Sequence, residues 1–176
     1  MRVKLLYHTD VGALKRALEE KGVAFEPEAL LDHVMYMFEI EEVSRVTTHQ
    51  LVRHRMASYD QESQRFSAAT REGSVTPKSV RSNSAALEAY NQGLRAVYEA
   101  YEKMVTAGVP KEDARYVLPN AIKTKILMTL SAKALMHLVW QRTALQAQWE
   151  IRELAGELLR CAKDATPELW GKIIER

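Results

Sequence analysis

The spacing of hydrophobic and polar residues along the chain predicts a mixture of strands and helices. Short segments dense in Val, Ile, Leu and aromatic side chains predict strands at 3–9, 33–44 and 121–130. The clearest helix is 84–108, where apolar residues recur every three or four positions before Gly108. Further helices are predicted at 12–22, 45–55, just after Pro110, 131–144, 146–164 and 167–175. Residues 58–83 are polar and are predicted to be mostly an extended loop. The pattern therefore predicts an α+β fold, helix-rich, with a small central sheet flanked by helices.

Length and composition place limits on the function. The 176 residues suit one domain, 1–176, that can bury a core. A net charge of +2 gives no electrostatic reason to expect nucleic-acid binding. Cys161 is the only cysteine, so an internal disulfide and a cysteine-based metal cage are excluded, and no metal is predicted. No segment approaches the roughly 20 apolar residues of a membrane helix, and the apolar N-terminal run is too short for a signal peptide. The chain is expected to be cytoplasmic, with no membrane partner.

The segment HQLVRHRMASYDQESQRFS, residues 49–67, is rich in side chains that donate planar or multiple hydrogen bonds. If 44–55 is helical, Gln50, Arg53 and His54 share one face, while Arg55 points elsewhere and serves a different group. Such a segment could hold two ligands side by side, and guanidinium groups suit phosphate.

Downstream, Ser63 and Arg65 lie on the same side if that stretch is extended, and a hydroxyl beside a guanidinium also suits a phosphate. The alternative for all these arginines is weak ion pairing at the surface. The acidic partners in that alternative are Glu41, Glu42, Asp60 and Glu62.

A second set of candidate residues begins at Arg115 and continues on the predicted helix 131–144. Lys133, His137 and Gln141 are spaced by four, so they form one polar stripe on an otherwise apolar helix. With Ser131 as the N-cap, the positive end of this helix faces outward. The alternative is an amphipathic helix that shows its solvated side.

The order Arg53-His54-Arg55, seven residues and then Ser63 resembles the signature of the flavin-dependent thymidylate synthases. GVPKEDARYVLP, SAKALMHLVWQR and AQWEIRELA resemble later blocks of that family in the same order, so the resemblance covers about residues 31–157. The chain departs from the family pattern at Ser131 and Lys133, where Asn and Arg are usual, and at Gln146, where a histidine is common. Its N-terminal stretch KGVAFEPEALLDH keeps only an acidic residue followed by histidine, 32–33, of a longer family motif.

The resemblance implies a homotetramer with active sites between subunits, each binding FAD, dUMP, methylenetetrahydrofolate and NADPH or NADH in turn. It implies reductive methylation of dUMP to dTMP, with the hydride carried by FAD. For dUMP it implies Gln50, Arg53, Gln61, Ser63, Gln64, Arg65, Arg115 and Arg142. For FAD it implies Arg53, His54, Arg55, Gln61, Ser131, Lys133 and His137. Arg142 is the expected catalytic residue, beside the uracil.

The residues agree with this chemistry. Methylation of uracil at C5 requires electron density there, from a nucleophile at C6 or from electrostatic stabilisation of a negatively charged base. Cys161 lies in LLRCAKD, remote in sequence from the candidates, and is expected to serve in packing, whereas guanidinium groups are available. Two alternatives keep the nucleotide site: a changed pyrimidine nucleotide or one-carbon donor, and a catalytically inactive nucleotide-binding relative.

Overall fold

The computed structural model describes residues 1–65 and 73–170. Within them, the strands form one antiparallel sheet in the order β1-β2-β4-β3. The strands are β1 Arg2–His8, β2 Met35–Ser44, β3 Ala57–Gln61 and β4 Lys123–Ser131. The two long strands, β2 and β4, therefore lie at the centre, and the short polar β3 lies at an edge.

The helices account for most of the remaining regular structure. They are α1 Val11–Glu20, α2 Leu30–His33, α3 Arg45–Leu51, α4 Lys78–Arg81, α5 Ser84–Thr106, α6 Lys111–Ala114, α7 Ala132–Arg142, α8 Trp149–Ala165 and α9 Pro167–Trp170. Single 3₁₀ turns occupy Pro27–Ala29 and Arg115–Val117. The predicted helix-rich α+β class is confirmed. The part of the predicted last helix beyond residue 170 lies outside the described residues.

The core forms where alternate residues of the central strands meet the helices. Phe38 and Ile40 of β2 and Met128 of β4 are fully buried, as the two-residue period of a half-covered sheet requires. They pack in one cluster with buried residues of α7 and α8, such as Leu135 and Leu154. Each such side chain contributes roughly 1.5–3 kcal/mol on burial.

Serine caps start the two helices that carry the candidate residues. Ser44 accepts from the backbone N–H of Thr47 at the start of α3, and Ser131 accepts from that of Ala134 at the start of α7. Because β2 and β4 are antiparallel, α3 and α7 begin at opposite ends of the sheet. Their C-terminal ends meet, since the Arg142 guanidinium donates to the carbonyl oxygen of Gln50.

One prediction about the region between β2 and α5 is wrong, and another is correct only in part. The helix predicted over 45–55 ends at Leu51, so Arg53, His54 and Arg55 are not helical. The segment predicted to be mostly loop, 58–83, also contains most of β3 and the four-residue α4, and its residues 66–72 lie outside the described residues. Both differences depend on pairing with distant parts of the chain, which local propensity does not contain.

Candidate functional site

The turn between α3 and β3, residues 52–56, carries the three central residues of the arginine segment; we call it the arginine turn. Backbone bonds from Arg53 N–H to the Gln50 carbonyl and from His54 N–H to the Leu51 carbonyl shape it. Arg53 and Arg55 are exposed, and neither forms an ion pair with any residue in 1–65 or 73–170. Both guanidinium groups are therefore available to an anionic ligand.

The alternative of surface ion pairs holds for Arg65, which pairs with Glu112, but not for Arg53 and Arg55. Glu41 lies 3.0 Å from Arg2 and 3.3 Å from Lys125, and Glu42 lies 3.9 Å from the N-terminal amine. These contacts leave the arginine turn without either carboxylate as a partner.

Arg142, at the end of α7, joins the arginine turn to α3. Its Nε donates to Nε2 of His54 at 2.8 Å, and its Nη2 donates to the Gln50 carbonyl at 3.3 Å. The shared helix face predicted for Gln50, Arg53 and His54 is wrong, because α3 ends at Leu51. Instead, Arg142 contacts both Gln50 and His54. Because arginine can only donate, Nε2 of His54 carries a lone pair, and the ring is neutral with its proton on Nδ1.

The surroundings of His54 keep it uncharged. Burial, followed by the nearby Arg142 cation and then His137, lowers the pKa of His54 from 6.5 to about 4. The two imidazole rings lie edge to face with centroids 6.4 Å apart. At neutral pH, His54 is therefore a hydrogen-bond acceptor for Arg142 and not a second cation.

Two adjoining cavities of ≈ 730 Å³ and ≈ 160 Å³ open beside the arginine turn. His137, Met56 and Ala134 line both of them. Trp140 lines the larger cavity and is 74% exposed, and Met56 is 81% exposed. Large apolar side chains so open to solvent, next to unpaired cations, are typical of a ligand or subunit contact surface.

The polar stripe predicted on α7 is confirmed, and it lines these cavities. Lys133 borders the larger one and pairs with Asp32 of α2 at 2.7 Å. Gln141 borders the smaller one, with its amide nitrogen 2.9 Å from Nε2 of His137. Ser131 lines the larger cavity at the start of α7.

The donor set around the cavities fits a flavin nucleotide. A mostly apolar wall containing Trp140 and Met56 suits a flat aromatic ring, and the cations at its edge suit a pyrophosphate. Of the residues expected at FAD, all but Gln61 line one of the two cavities. They are Arg53, His54 and Arg55 in the smaller one, Ser131 and Lys133 in the larger one, and His137 in both.

A second cationic group lies near the N-terminal end of α3. Arg65 Nε lies 2.5 Å from the Glu112 carboxylate, and Arg115 Nε donates to the Glu112 carbonyl. Arg45 donates to the Glu62 carbonyl at 3.0 Å, and burial, with Arg115 as the next cause, lowers its pKa. We call these three arginines the α3 N-terminal cluster; their like charges favour an anion.

The predicted extended geometry of 63–65 is wrong. Gln64 and Arg65 lie in a turn, which the Ser63 hydroxyl stabilises by accepting from the Arg65 backbone N–H at 3.2 Å. Gln61 points inward, and its amide donates to Thr48 and Thr124. Ser63, Gln64, Arg65 and Arg115 therefore lie apart from Gln50, Arg53 and Arg142, which occupy the other end of α3, about 10 Å along its axis.

Three residues at the site were not found from the sequence: Met56, Trp140 and Tyr59, whose hydroxyl donates to the carbonyls of Leu51 and His54. Trp140 lies three positions after His137, which places it on the edge of the same helix face. That spacing was a usable signal. The sequence carried no comparable signal for Tyr59, because its contacts with the arginine turn depend on the pairing of β3.

No group of three or more metal-binding side chains occurs in the part of the chain that the structure describes. Among the same residues, no helix is long and apolar enough to cross a membrane.

Comparison with known proteins identifies the family. The sequence pattern of the family described as thymidylate synthase complementing protein matches residues 6–168. The chain belongs to this family. It is 42% identical over 156 residues to a flavin-dependent thymidylate synthase of Geobacter sulfurreducens, covering 88% of this chain and 67% of that protein. It is 43% identical over 144 residues to that of Sulfurisphaera tokodaii, covering 81% and 55%.

The predicted family resemblance is thus confirmed, although the chain spans only 55–67% of the length of these two relatives. The fold is also similar to that of a protein of known structure, Thymidylate Synthase X from Helicobacter pylori with FAD and dUMP. The two chains overlap over 100% of each with a TM-score of 0.71 and 20% identity. That identity supports the shared fold alone.

Proposed function

We propose that the chain catalyses the reductive methylation of dUMP to dTMP, with methylenetetrahydrofolate as carbon donor and FAD reduced by NADPH as hydride carrier. The observation that carries the proposal is Arg142, which donates to neutral His54, a residue of the arginine turn that lines the smaller cavity. Family membership and the flavin-dependent thymidylate synthases among its relatives support it. The Helicobacter pylori relative binds FAD and dUMP, the two ligands proposed here.

Arg142 is the proposed catalytic residue. Its guanidinium stabilises negative charge on the uracil ring, which raises electron density at C5 without a covalent bond at C6. Burial raises the pKa of the Cys161 thiol, so this group stays protonated and is a poor nucleophile. Cys161 also lies on α8, where it packs against the hydrophobic core. Electrostatic activation therefore fits this chain better than thiol addition.

The remaining proposed nucleotide ligands divide between the two ends of α3. The α3 N-terminal cluster, with Ser63 and Gln64, supplies cations and a hydroxyl for the phosphate. At the other end, Gln50, Arg53 and Arg142 face the base, and Gln61 donates to Thr48 in the middle of α3, between the two groups. We propose that subunits associate as a homotetramer and that groups from both ends, in different subunits, complete each site.

For the flavin, we propose Arg53, His54 and Arg55 on one side and Ser131, Lys133 and His137 on the other, with Gln61 behind the turn. When bound, FAD supplies the hydride that it receives from NADPH. The residues of this chain bind and orient it: cations hold the pyrophosphate, and Trp140 and Met56 shield the ring from water. We further propose that residues 1–176 act as one domain; the cytoplasmic location stays a prediction.

A visible absorption titration tests the proposal. Purified protein is mixed with FAD, then with dUMP, and the flavin bands are followed. We expect FAD uptake and a spectral change on dUMP addition, because both ligands meet at the arginine turn. Formation of dTMP from dUMP, methylenetetrahydrofolate and NADPH is then assayed. Failure to bind FAD under any condition would contradict the proposal.

One observation favours the alternative of a nucleotide-binding relative with altered or absent turnover. Lys133, which stands where the family usually has arginine, is engaged by Asp32 and has no planar fork for a phosphate. Retained flavin without dTMP formation would favour a changed substrate or carbon donor. Retained dUMP affinity without flavin would favour an inactive relative. In the second case, restored flavin binding in Lys133→Arg would identify this position as the cause.

A further inference from the structure

The hydroxyl of Tyr59 spans the arginine turn. Tyr59 Oη donates to the carbonyl oxygen of Leu51 at 2.8 Å and to that of His54 at 3.0 Å. Leu51 is the last residue of α3, and His54 lies three residues later. One hydroxyl hydrogen shared between these two carbonyls therefore connects the start of the turn to the residue that contacts Arg142.

Tyr59 is itself held in place by the sheet. It lies at the middle of β3, opposite Met128 of β4, and its ring packs against the hydrophobic core. Burial raises the pKa of Tyr59 to about 12, so the phenol remains a donor at any physiological pH. Strand β3 thus presents a protonated hydroxyl donor to the arginine turn.

We propose that Tyr59 is a positioning residue for the reaction: it fixes the backbone of His54, and through the His54 ring it fixes the Arg142 guanidinium. The path is short and continuous. It runs from Tyr59 Oη to the His54 carbonyl, and from His54 Nε2 to Arg142 Nε at 2.8 Å. Its catalytic consequence rests on the proposed function, whereas its structural part does not.

Tyr59→Phe removes the hydroxyl and keeps the ring in the core. We expect kcat for dTMP formation to fall by roughly tenfold or more, because small displacements of a charge-stabilising group cost rate steeply. We expect FAD to remain bound, since the ring nitrogen and guanidinium donors are still present. The KM for dUMP should change much less than kcat, because the phosphate contacts lie at the other end of α3.

Tyr90→Phe is the matched control. Tyr90 Oη also donates to a backbone carbonyl, that of Val75 at 2.8 Å, and it is half-buried on α5. This variant loses the same kind of hydrogen bond and has no contact with the arginine turn. We expect kcat within about twofold of wild type. Equal losses of kcat in both variants would show only general destabilisation and would overturn the proposal.

A double-mutant cycle separates positioning from simple stabilisation. Tyr59→Phe is combined with Arg142→Lys, which keeps the charge but loses the bond geometry. We expect the two effects on kcat to be strongly non-additive, because both disturb the same guanidinium. Additive effects would mean that Tyr59 does not act through Arg142.

The structural part of the proposal is tested by NMR, which does not require enzymatic activity. In protein with ¹⁵N-labelled histidine, the ring nitrogens of His54 are assigned by difference from His54→Gln. We expect a single Nδ1–H form in wild type and Tyr90→Phe, and a mixture of tautomers in Tyr59→Phe. An unchanged His54 signal in Tyr59→Phe overturns the positioning role even if dTMP is made. A changed signal in protein that makes no dTMP supports the positioning role and rejects the proposed function instead.

Discussion

The charge state of His54 determines how Arg142 is held. A neutral imidazole accepts from the guanidinium, whereas a protonated one has no acceptor and repels it. Burial and the Arg142 cation both oppose protonation of His54, so the hydrogen bond from Arg142 to His54 is retained at neutral pH. Acidification therefore disturbs two groups at once, the histidine and the arginine it orients.

This coupling predicts a pH dependence of stability. Folding lowers the pKa of His54 from 6.5 to about 4. Between these two pH values the unfolded chain binds more protons than the folded chain, so acidification favours unfolding. We expect the free energy of unfolding to be fully retained above pH 6.5 and to fall towards pH 4, by on the order of 1 kcal/mol after allowance for solvent screening. Urea denaturation across this range measures it. His54→Gln should have a shallower slope, and equal slopes would contradict the assignment.

Arg142→Ala tests the catalytic assignment. We expect kcat for dTMP formation to fall by roughly 100-fold or more, because charge on the uracil loses its stabilising group. The flavin should remain bound, since its proposed ligands are other residues. Arg160→Ala is the control, because Arg160 forms surface ion pairs with Glu157 and Asp164 on its own helix, α8. Turnover in Arg142→Ala equal to that of Arg160→Ala would reject the role of Arg142.

At the level of elements, sequence patterns predicted those that have their own periodicity. The apolar density of β2 and β4, the apolar stripe of α5 and the Ser131 cap of α7 are all local signals, and the structure confirms them. They sufficed to place His137 and Lys133 on one face of α7.

What sequence patterns did not predict depends on distant pairing. The sequence of β3, ASYDQ, is polar. This strand pairs only with β4 among the described strands, and its residues Ser58 and Asp60 face solvent, so it needs no apolar run. Tyr59 of this strand donates to the end of α3, so the helix boundary at Leu51 also could not be predicted locally. The family resemblance supplied the candidate residues but not the turn that holds them.

The junction between β2 and α3 gives an element-level prediction. The Ser44 backbone N–H and hydroxyl both donate to the buried carboxyl group of Glu150, at 2.8 and 2.5 Å, while the hydroxyl caps α3. Ser44→Ala therefore loses a cap and leaves a buried oxygen without a donor, and we expect a loss of about 2–4 kcal/mol in unfolding free energy.

Chemical denaturation measures this loss of unfolding free energy. A helix cap without a second hydrogen bond serves as the control. Asn83 caps α5 by accepting from Ala86 N–H at an exposed position. Asn83→Ala should cost only about 1 kcal/mol. If Ser44→Ala cost no more than Asn83→Ala, the link from Ser44 to α8 would contribute nothing beyond capping.

At the scale of the whole molecule, the two ends of α3 raise the question of which groups serve one nucleotide. The α3 N-terminal cluster and Arg142 lie at opposite ends of the helix, and the wall containing Trp140 and Met56 is open to solvent. We propose that the symmetric assembly that covers this wall also brings one subunit's cluster to another subunit's Arg142. The proposed homotetramer accounts for both features together.

Mixing inactive variants tests whether the sites are shared. Arg65→Ala and Arg142→Ala, each inactive alone, are co-expressed with different tags, and the mixed assemblies are isolated and assayed. If each site takes Arg65 from one subunit and Arg142 from another, random pairing leaves some sites intact, and we expect roughly a quarter of wild-type activity. Arg65→Ala mixed with Arg115→Ala is the control: both residues contact Glu112 in one chain, so no intact cluster forms and activity should stay absent. An inactive first mixture in verified mixed assemblies would place each site within a single chain, and α3 would then be the scaffold along which one nucleotide lies.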